Sequence, residues 1–264
     1  MMDIICLMKQ VPDTTDVKID PKTGTLIREG VPSIINPEDK NAIEAALVLK
    51  EKHGGKIVCI SMGTPQAEDA LREAYAMGVD ECVLLCDRAF AGADTLATSY
   101  ALAMAIKAVG KYDIIISGRQ AIDGDTAQIG PQIAEWLKMP QITYARTLEV
   151  KDNKAHVERL LEDGFEVVEA PLPCLVTCVK EMNKPRYPTV SRILKACKEL
   201  KIPFWNAQQI NAEKSRIGLD GSATGVKRTF APEPKGLGKM LTGKTEDVVK
   251  QLVKHLENDN IINR

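Results

Sequence analysis

Through the first half of the chain, short and almost wholly apolar runs alternate with segments whose apolar residues recur at helical spacing. The runs fall at residues 4–8, 56–61, 81–86 and 112–117, and the helical segments at 37–52, 65–77 and 94–109. Such alternation predicts a parallel sheet with helices packed on it. Ile57-Val58-Cys59-Ile60 and Ile114-Ile115-Ile116 have no polar face, as expected of strands covered on both sides. Helix starts agree, because Asn36, Thr64 and Asp94 each stand as N-cap residue types directly ahead of a plausible first turn.

Two stretches break the rhythm. Between residues 15 and 34, Val17-Lys18-Ile19-Asp20 and Thr25-Leu26-Ile27-Arg28 flank a glycine-containing turn and predict a hairpin. Between residues 143 and 170, alternating segments separated by Asp152-Asn153 and Asp163-Gly164 predict an antiparallel meander. The expected fold is therefore α/β and doubly wound, with a mainly parallel sheet, antiparallel excursions and a C-terminal arm. Residues 1–228 read as the nucleotide- or flavin-binding domain. Residues 229–264 read as a linker, with Pro232, Pro234, Gly236 and Gly238, followed by a helix from about Thr245 to Glu257. Residues 238–245 match the letters of a phosphate-binding P-loop, but that loop needs a buried strand before it. Prolines stand there instead, so Thr245 is read as a helix cap.

The 264 residues carry 35 Lys and Arg against 36 Asp and Glu, a net charge of −1 that gives no general attraction to nucleic acid or an anionic membrane. The N-terminal apolar run is interrupted by Asp3 and Lys9 and is too short for membrane insertion, so a cytoplasmic location is expected. Six of the seven cysteines lie in apolar stretches without metal-ligand spacing and read as buried, reduced thiols. His53, His156 and His255 have no nucleophile pattern near them, so no catalytic residue is assigned.

The most informative segment is 117–132, which leaves an apolar strand and enters a helix at Ala134-Glu135-Trp136-Leu137. Open α/β sheets bind ligands beyond the carboxyl ends of their strands, where a helix N-terminus offers free amides to phosphate. Small residues at Gly118, Ala121, Gly124, Ala127 and Gly130 let the backbone come close to a ligand. Thr126 and Gln128 supply polar groups for phosphate or ribose. Asp123 and Asp125 repel phosphate, and are expected on ribose hydroxyls, on a loop amide or turned away. An ordinary surface loop with helix caps is the alternative reading.

Residues 118–137, GRQAIDGDTAQIGPQIAEWL, closely resemble the nucleotide-binding segment of electron transfer flavoprotein beta subunits. Further segments resemble the same family in order along the chain: Lys9-Gln10-Val11-Pro12-Asp13, Asn36-Pro37, Ala76-Met77-Gly78-Val79-Asp80, Pro171-Leu172-Pro173-Cys174 and Asn183-Lys184-Pro185-Arg186-Tyr187-Pro188. The resemblance implies a heterodimer with an alpha subunit. It implies cofactor binding by Leu7, Lys9, Asn36, Met62, Thr64, Asp94, Thr95 and Thr98, together with Ala121, Ile122, Asp123, Gly124, Asp125, Thr126, Ala127, Gln128, Ile129 and Gly130. Residues 27–37, 92–98 and 218–222 look like the electron-bifurcating branch, although Ala223 stands where a proline is expected. In that branch FAD in this site receives electrons from NADH. One electron goes towards ferredoxin, and the other through the alpha subunit to a flavin-dependent dehydrogenase of acyl-CoA or 2-hydroxyacid type. The alternatives are a carrier with structural AMP in the site and a universal-stress-type nucleotide-binding module. The resemblance also implies that the segment from Asn183 docks the dehydrogenase, with Val190 as apolar anchor and Arg186, Arg192 and Lys195 steering the encounter. Read from the residues alone, Val190 packs into the chain's own core as the first buried residue of the helix, with the basic residues on the wet face.

Overall fold

The computed structural model describes residues 1–13, 32–227, 236 and 238–262. The predicted hairpin at residues 17–28, and Pro232 and Pro234, lie outside the described residues. Two compact units are present, Met1–Lys227 and Arg228–Arg264.

In the first unit, nine strands among the described residues form one sheet. In chain order they are β1 (Met2–Met8), β4 (Gly55–Met62), β5 (Glu81–Leu85), β6 (Ile114–Gly118), β7 (Gln141–Lys151), β8 (Lys154–Leu160), β9 (Phe165–Pro171), β10 (Cys174–Cys178) and β11 (Phe204–Trp205). Their order across the sheet is β11-β5-β4-β1-β6-β10-β7-β8-β9. Pairing is parallel from β11 to β7 and antiparallel through β7-β8-β9, the predicted meander. A separate two-stranded sheet joins β2 (Gln10–Pro12) to β3 (Ser33–Ile35).

The period-two geometry of a strand sends successive side chains to opposite faces. Ile4, Cys6, Ile57, Cys59, Ile114 and Ile116 point to the face covered by α1 (Pro37–His53) and α2 (Ala67–Met77). Ile5, Leu7, Val58, Ile60 and Ile115 meet α3 (Thr95–Val109) and α4 (Ile129–Leu137) on the other face. Both layers are apolar, so the strands contain almost no polar positions; each fully buried isoleucine contributes about 1.5–3 kcal/mol. The chain passes from β1 through α1 to β4 and through α2 to β5, then returns through α3 to β6 on the far side of β1. Strand order therefore reverses between β1 and β6.

Three sequence expectations are corrected. Thr64 does not cap α2: Pro65 and Gln66 form a turn, with the Ala67 amide donating to the Thr64 carbonyl, and Gln66 takes the cap position. Asn36 holds the cap position of α1 without bonding a helix amide, since its side chain is used elsewhere. Asp94 caps α3 as expected, accepting from the Ala97 amide at 3.1 Å. The third correction lies in the second unit, where α6 (Thr245–Asn258) starts with Lys244 at the cap and Thr245 already in the first turn. No strand precedes α6 among the described residues of that unit. All seven cysteines are free, and Cys6, Cys59, Cys82, Cys174 and Cys178 are buried. Among the described residues no helix is long and apolar enough to cross a membrane, and no side-chain group is arranged to hold a metal ion.

Candidate nucleotide-binding site

The reversal of strand order opens a crevice beyond the carboxyl ends of β1 and β6, the place where open α/β sheets take ligands. β1 ends into Lys9, and β6 ends at Gly118, which begins the loop to α4. Parallel strands that diverge here leave backbone groups without ladder partners, and the start of α1 supplies them. The Asn36 amide donates to the Gln120 carbonyl at 2.8 Å, and its Oδ1 accepts from the Ile122 amide at 3.1 Å. Glu38 accepts from the Gln120 amide at 3.2 Å and pairs with Arg119 at 3.0 Å. Asp39 accepts from the amides of Lys9 at 2.8 Å and Gly118 at 3.0 Å. Asp39 is buried, and desolvation pushes its carboxyl up to about 7 against those bonds. Desolvation also raises Glu38, the Arg119 guanidinium opposing it.

Beyond these anchors the loop turns outward. Lys9 Nζ donates to both carboxylate oxygens of Asp123 at 2.7 Å, tying the end of β1 to the loop, and Asp125 accepts from Gln120 Nε2. Asp125 and Ala127 adopt left-handed backbone with φ of 52° and 53°, which costs a non-glycine residue roughly 1–2 kcal/mol. Strain of this kind clusters at ligand clamps. Gln128 precedes α4 without capping it; its Oε1 instead accepts from Thr95 Oγ1 at 2.9 Å, leaving the first-turn amides without a side-chain cap.

The start of α3 closes a third side. Desolvation would raise Asp94, but bonds from the amides of Ala97 and Thr224 and from the Thr224 hydroxyl hold its carboxyl below the usual range. Ser222 Oγ accepts from the Asp94 amide at 2.8 Å, so the segment following Gly218 is bound to the same helix end. Thr95 also accepts from Gln132 at 3.3 Å. Thr98, one turn on, is partly buried.

The structure thus brings Lys9, Asn36, Asp94, Thr95 and residues 121–128 around one crevice. Asp123 and Asp125 accept from side-chain donors of the chain itself, Lys9 Nζ and Gln120 Nε2. Leu7 is different: its side chain is buried in the layer under α3 and α4, and its backbone is paired with β4 and β6 in the sheet. Met62 packs against the same layer, and Thr64 Oγ1 donates to Gln66 at 3.0 Å. Gly130 was expected to admit a ligand, yet a Cβ there would stand 2.4 Å from Thr177 Cγ2, so its smallness serves the packing of α4 on β10. At Gly124 a Cβ meets nothing within 4 Å, leaving open space on the loop's outer side.

This arrangement is not that of a cation-driven phosphate site. The lysine and arginine at the crevice are already paired, to Asp123 and Glu38, so phosphate charge would be met by loop amides and the start of α4. Residues missed in the sequence are the buried polar ones of α1. Glu38, Asn41 and Glu44 recur every three residues and are each less than a tenth exposed, a polar stripe where an apolar one is expected. Asn41 donates to the carbonyl of Asn183 at 2.8 Å, and Glu44 binds Arg186.

That anchoring settles the geometry of the 183–198 segment. Glu44 accepts from the Arg186 amide, Nε and Nη2 at 3.0, 2.8 and 2.9 Å, and Glu51 takes a further nitrogen. Arg192 donates to the carbonyls of Tyr75 at 2.9 Å and Val79 at 2.6 Å. Both guanidinium groups are therefore committed inside the chain, while Lys195 is exposed. Val190 opens α5 (Val190–Lys198) and is 75% exposed, with Ile193 and Leu194 exposed beside it, so it is not a core residue.

Comparison with known proteins finds relatives along the length of the chain. Residues 23–202 match the electron transfer flavoprotein domain. The chain is 55% identical to the caffeyl-CoA reductase-Etf complex subunit CarD of Acetobacterium woodii, over 99% of this chain and all of that protein. It is 53% identical to the electron transfer flavoprotein subunit beta of Thermoanaerobacterium thermosaccharolyticum, with the same coverage. The acryloyl-CoA reductase electron transfer subunit gamma of Anaerotignum propionicum is 44% identical, again over 99% of this chain and all of that protein.

Proposed function

The chain belongs to the electron transfer flavoprotein family as a beta-type subunit, and from that premise we propose that it binds FAD in the crevice between β1 and β6 within a heterodimer that carries out electron bifurcation. The observation that carries the reading is the 118–130 loop at the reversal of strand order. Its base is fixed by α1, and its far end presents uncapped α4 amides. When bound, FAD supplies the one- and two-electron chemistry; the chain supplies position and electrostatics. The loop amides and the start of α4 hold the diphosphate, and the start of α3, with Asp94, Thr95 and Thr98, faces the remaining polar groups. Electrons enter from NADH and leave towards ferredoxin and, through the alpha subunit, towards a flavin-dependent dehydrogenase. Similarity to subunits named for caffeyl-CoA and acryloyl-CoA reductases supports an acyl-CoA type.

Two surfaces suit the partners. On α6, Val249, Leu252 and Val253 form an exposed apolar face at i, i+3, i+4 spacing, fit to lie against the alpha subunit. On α5, Val190 offers the anchor for the dehydrogenase, with Lys195 as the basic neighbour free to steer it. Denaturing the purified heterodimer and quantifying released nucleotides tests the site directly. Two FAD per heterodimer are expected; one FAD with one AMP overturns bifurcation, and a single FAD without a second nucleotide overturns the site.

A further inference from the structure

We propose that Asp39 is a positioning residue for this site: its carboxylate clamps the diverging ends of β1 and β6, and thereby sets the shape in which the 118–130 loop binds nucleotide. The inference rests on the reading of that loop as the nucleotide site. Each carboxylate oxygen takes one backbone amide, Oδ2 that of Lys9 and Oδ1 that of Gly118, on the two strands between which the crevice opens. A Cβ on residue 118 would lie 2.4 Å from Asp39 Oδ1, so strand end and carboxylate are fitted to each other without slack. Among the described residues no cation is paired with the group directly, since Lys9 Nζ is held by Asp123 and Arg119 by Glu38.

Two amide donors require two acceptor oxygens, which an ionised carboxylate has. A neutral acid, or an asparagine, turns a donor towards one of the amides and releases it. Burial places the ionisation near neutrality, at about 7. The groups facing Asp39 are Glu38 and Asn36 from its own helix end, Lys9 and Gly118 from the strands, and the thiols of Cys59 on β4 and Cys178 on β10. A hydrogen bond with Cys6 and burial raise the Cys59 thiol, and burial raises that of Cys178, both well above the ordinary thiol range. Glu38 is the other facing carboxyl, so Glu38→Gln is the control.

The test measures FAD affinity of the heterodimer from pH 5.5 to 8.5, in wild type, Asp39→Asn and Glu38→Gln. FAD is the probe because the phosphate of AMP itself titrates near pH 6. Wild-type affinity should fall about tenfold or more towards low pH; Asp39→Asn should be flat, near the wild-type low-pH value; Glu38→Gln should keep the slope. Amide exchange in the absence of nucleotide should show Lys9 and Gly118 losing protection in Asp39→Asn. A flat wild-type profile, a slope retained in Asp39→Asn, or unchanged protection of both amides overturns the proposal. Wild type that binds no FAD at any pH overturns the nucleotide reading instead, and amide exchange then decides whether the clamp exists.

Discussion

Gly124, in the loop, and Gly130, in the first turn of α4, stand six residues apart, yet substitution should act on different properties at each. A Cβ at Gly130 would be 2.4 Å from Thr177 Cγ2 and 3.3 Å from Leu175 Cδ2, so α4 must move off β10 by about 1 Å to restore van der Waals contact. Overpacking of this kind costs about 1–3 kcal/mol. Alanine in a helix offsets up to ~1 kcal/mol of that through its better propensity. The net for Gly130→Ala centres on ~1 kcal/mol, which at about 2–4 °C per kcal/mol lowers the melting temperature by roughly 2–4 °C. At Gly124 no atom lies within 4 Å of the added Cβ and the backbone is not left-handed, so Gly124→Val should leave stability within about 0.5 kcal/mol. Its branched side chain fills the open side of the loop, and FAD affinity should fall about tenfold or more. Thermal melts followed by circular dichroism, paired with equilibrium FAD titration, separate the two. A wild-type melting temperature in Gly130→Ala refutes the packing argument; wild-type FAD affinity in Gly124→Val refutes the assignment of the loop.

Val190→Ala should weaken dehydrogenase binding by roughly 1 kcal/mol or more with no change in melting temperature, read by calorimetry; a lowered melting temperature with intact binding contradicts the exposed anchor. Arg186→Met keeps the backbone amide but takes both guanidinium donors from the buried carboxylate of Glu44, and should cost about 3 kcal/mol in urea denaturation, with Glu44→Gln in the same chain returning part of it. For Asp39 the native carboxyl titrates above its ordinary 3.8, at about 7, so between these values the native state holds a proton that the unfolded chain has lost. Its contribution to stability is therefore present below pH 4 and is lost as pH rises to 7, by ~4 kcal/mol at most. Asp39→Asn should remove that slope from denaturation curves at pH 4.5 and 8, and an unchanged slope would assign it to another group.

Much of the architecture was legible because it is written in periodicity. Apolar runs at residues 56–61 and 112–117 became β4 and β6 within about two residues at either end, and the meander appeared where turn residues marked it. β10 was not assigned: its five residues follow Pro171-Leu172-Pro173, and tertiary placement between β6 and β7 makes it central. Of the site, the loop from Gly118 was found from the position of its strand and the smallness of its residues. What holds the loop was not found. Glu38 and Asp39 look in sequence like ordinary acidic residues of a helix first turn, favoured there by the helix dipole. Only the fold reveals that both are buried and bound to backbone far along the chain. Similarly, Arg186 and Arg192 read as free basic residues until the structure supplied their acceptors.

The polar stripe of α1 also constrains how the sequence can change in length. Asn36, Glu38 and Asp39 hold the loop, and Asn41 and Glu44 hold residues 183–186, so one helix carries two sets of contacts in fixed phase. One residue inserted between Asp39 and Asn41 would advance the second set about 1.5 Å along the axis and turn it about 100° away from its partners. Removing one would turn it as far the other way. Substitutions within this stretch can be absorbed one contact at a time, but an insertion or deletion breaks every contact of one set together. Divergence in length should thus be kept out of α1, leaving it as the stretch against which chains of this kind keep their register.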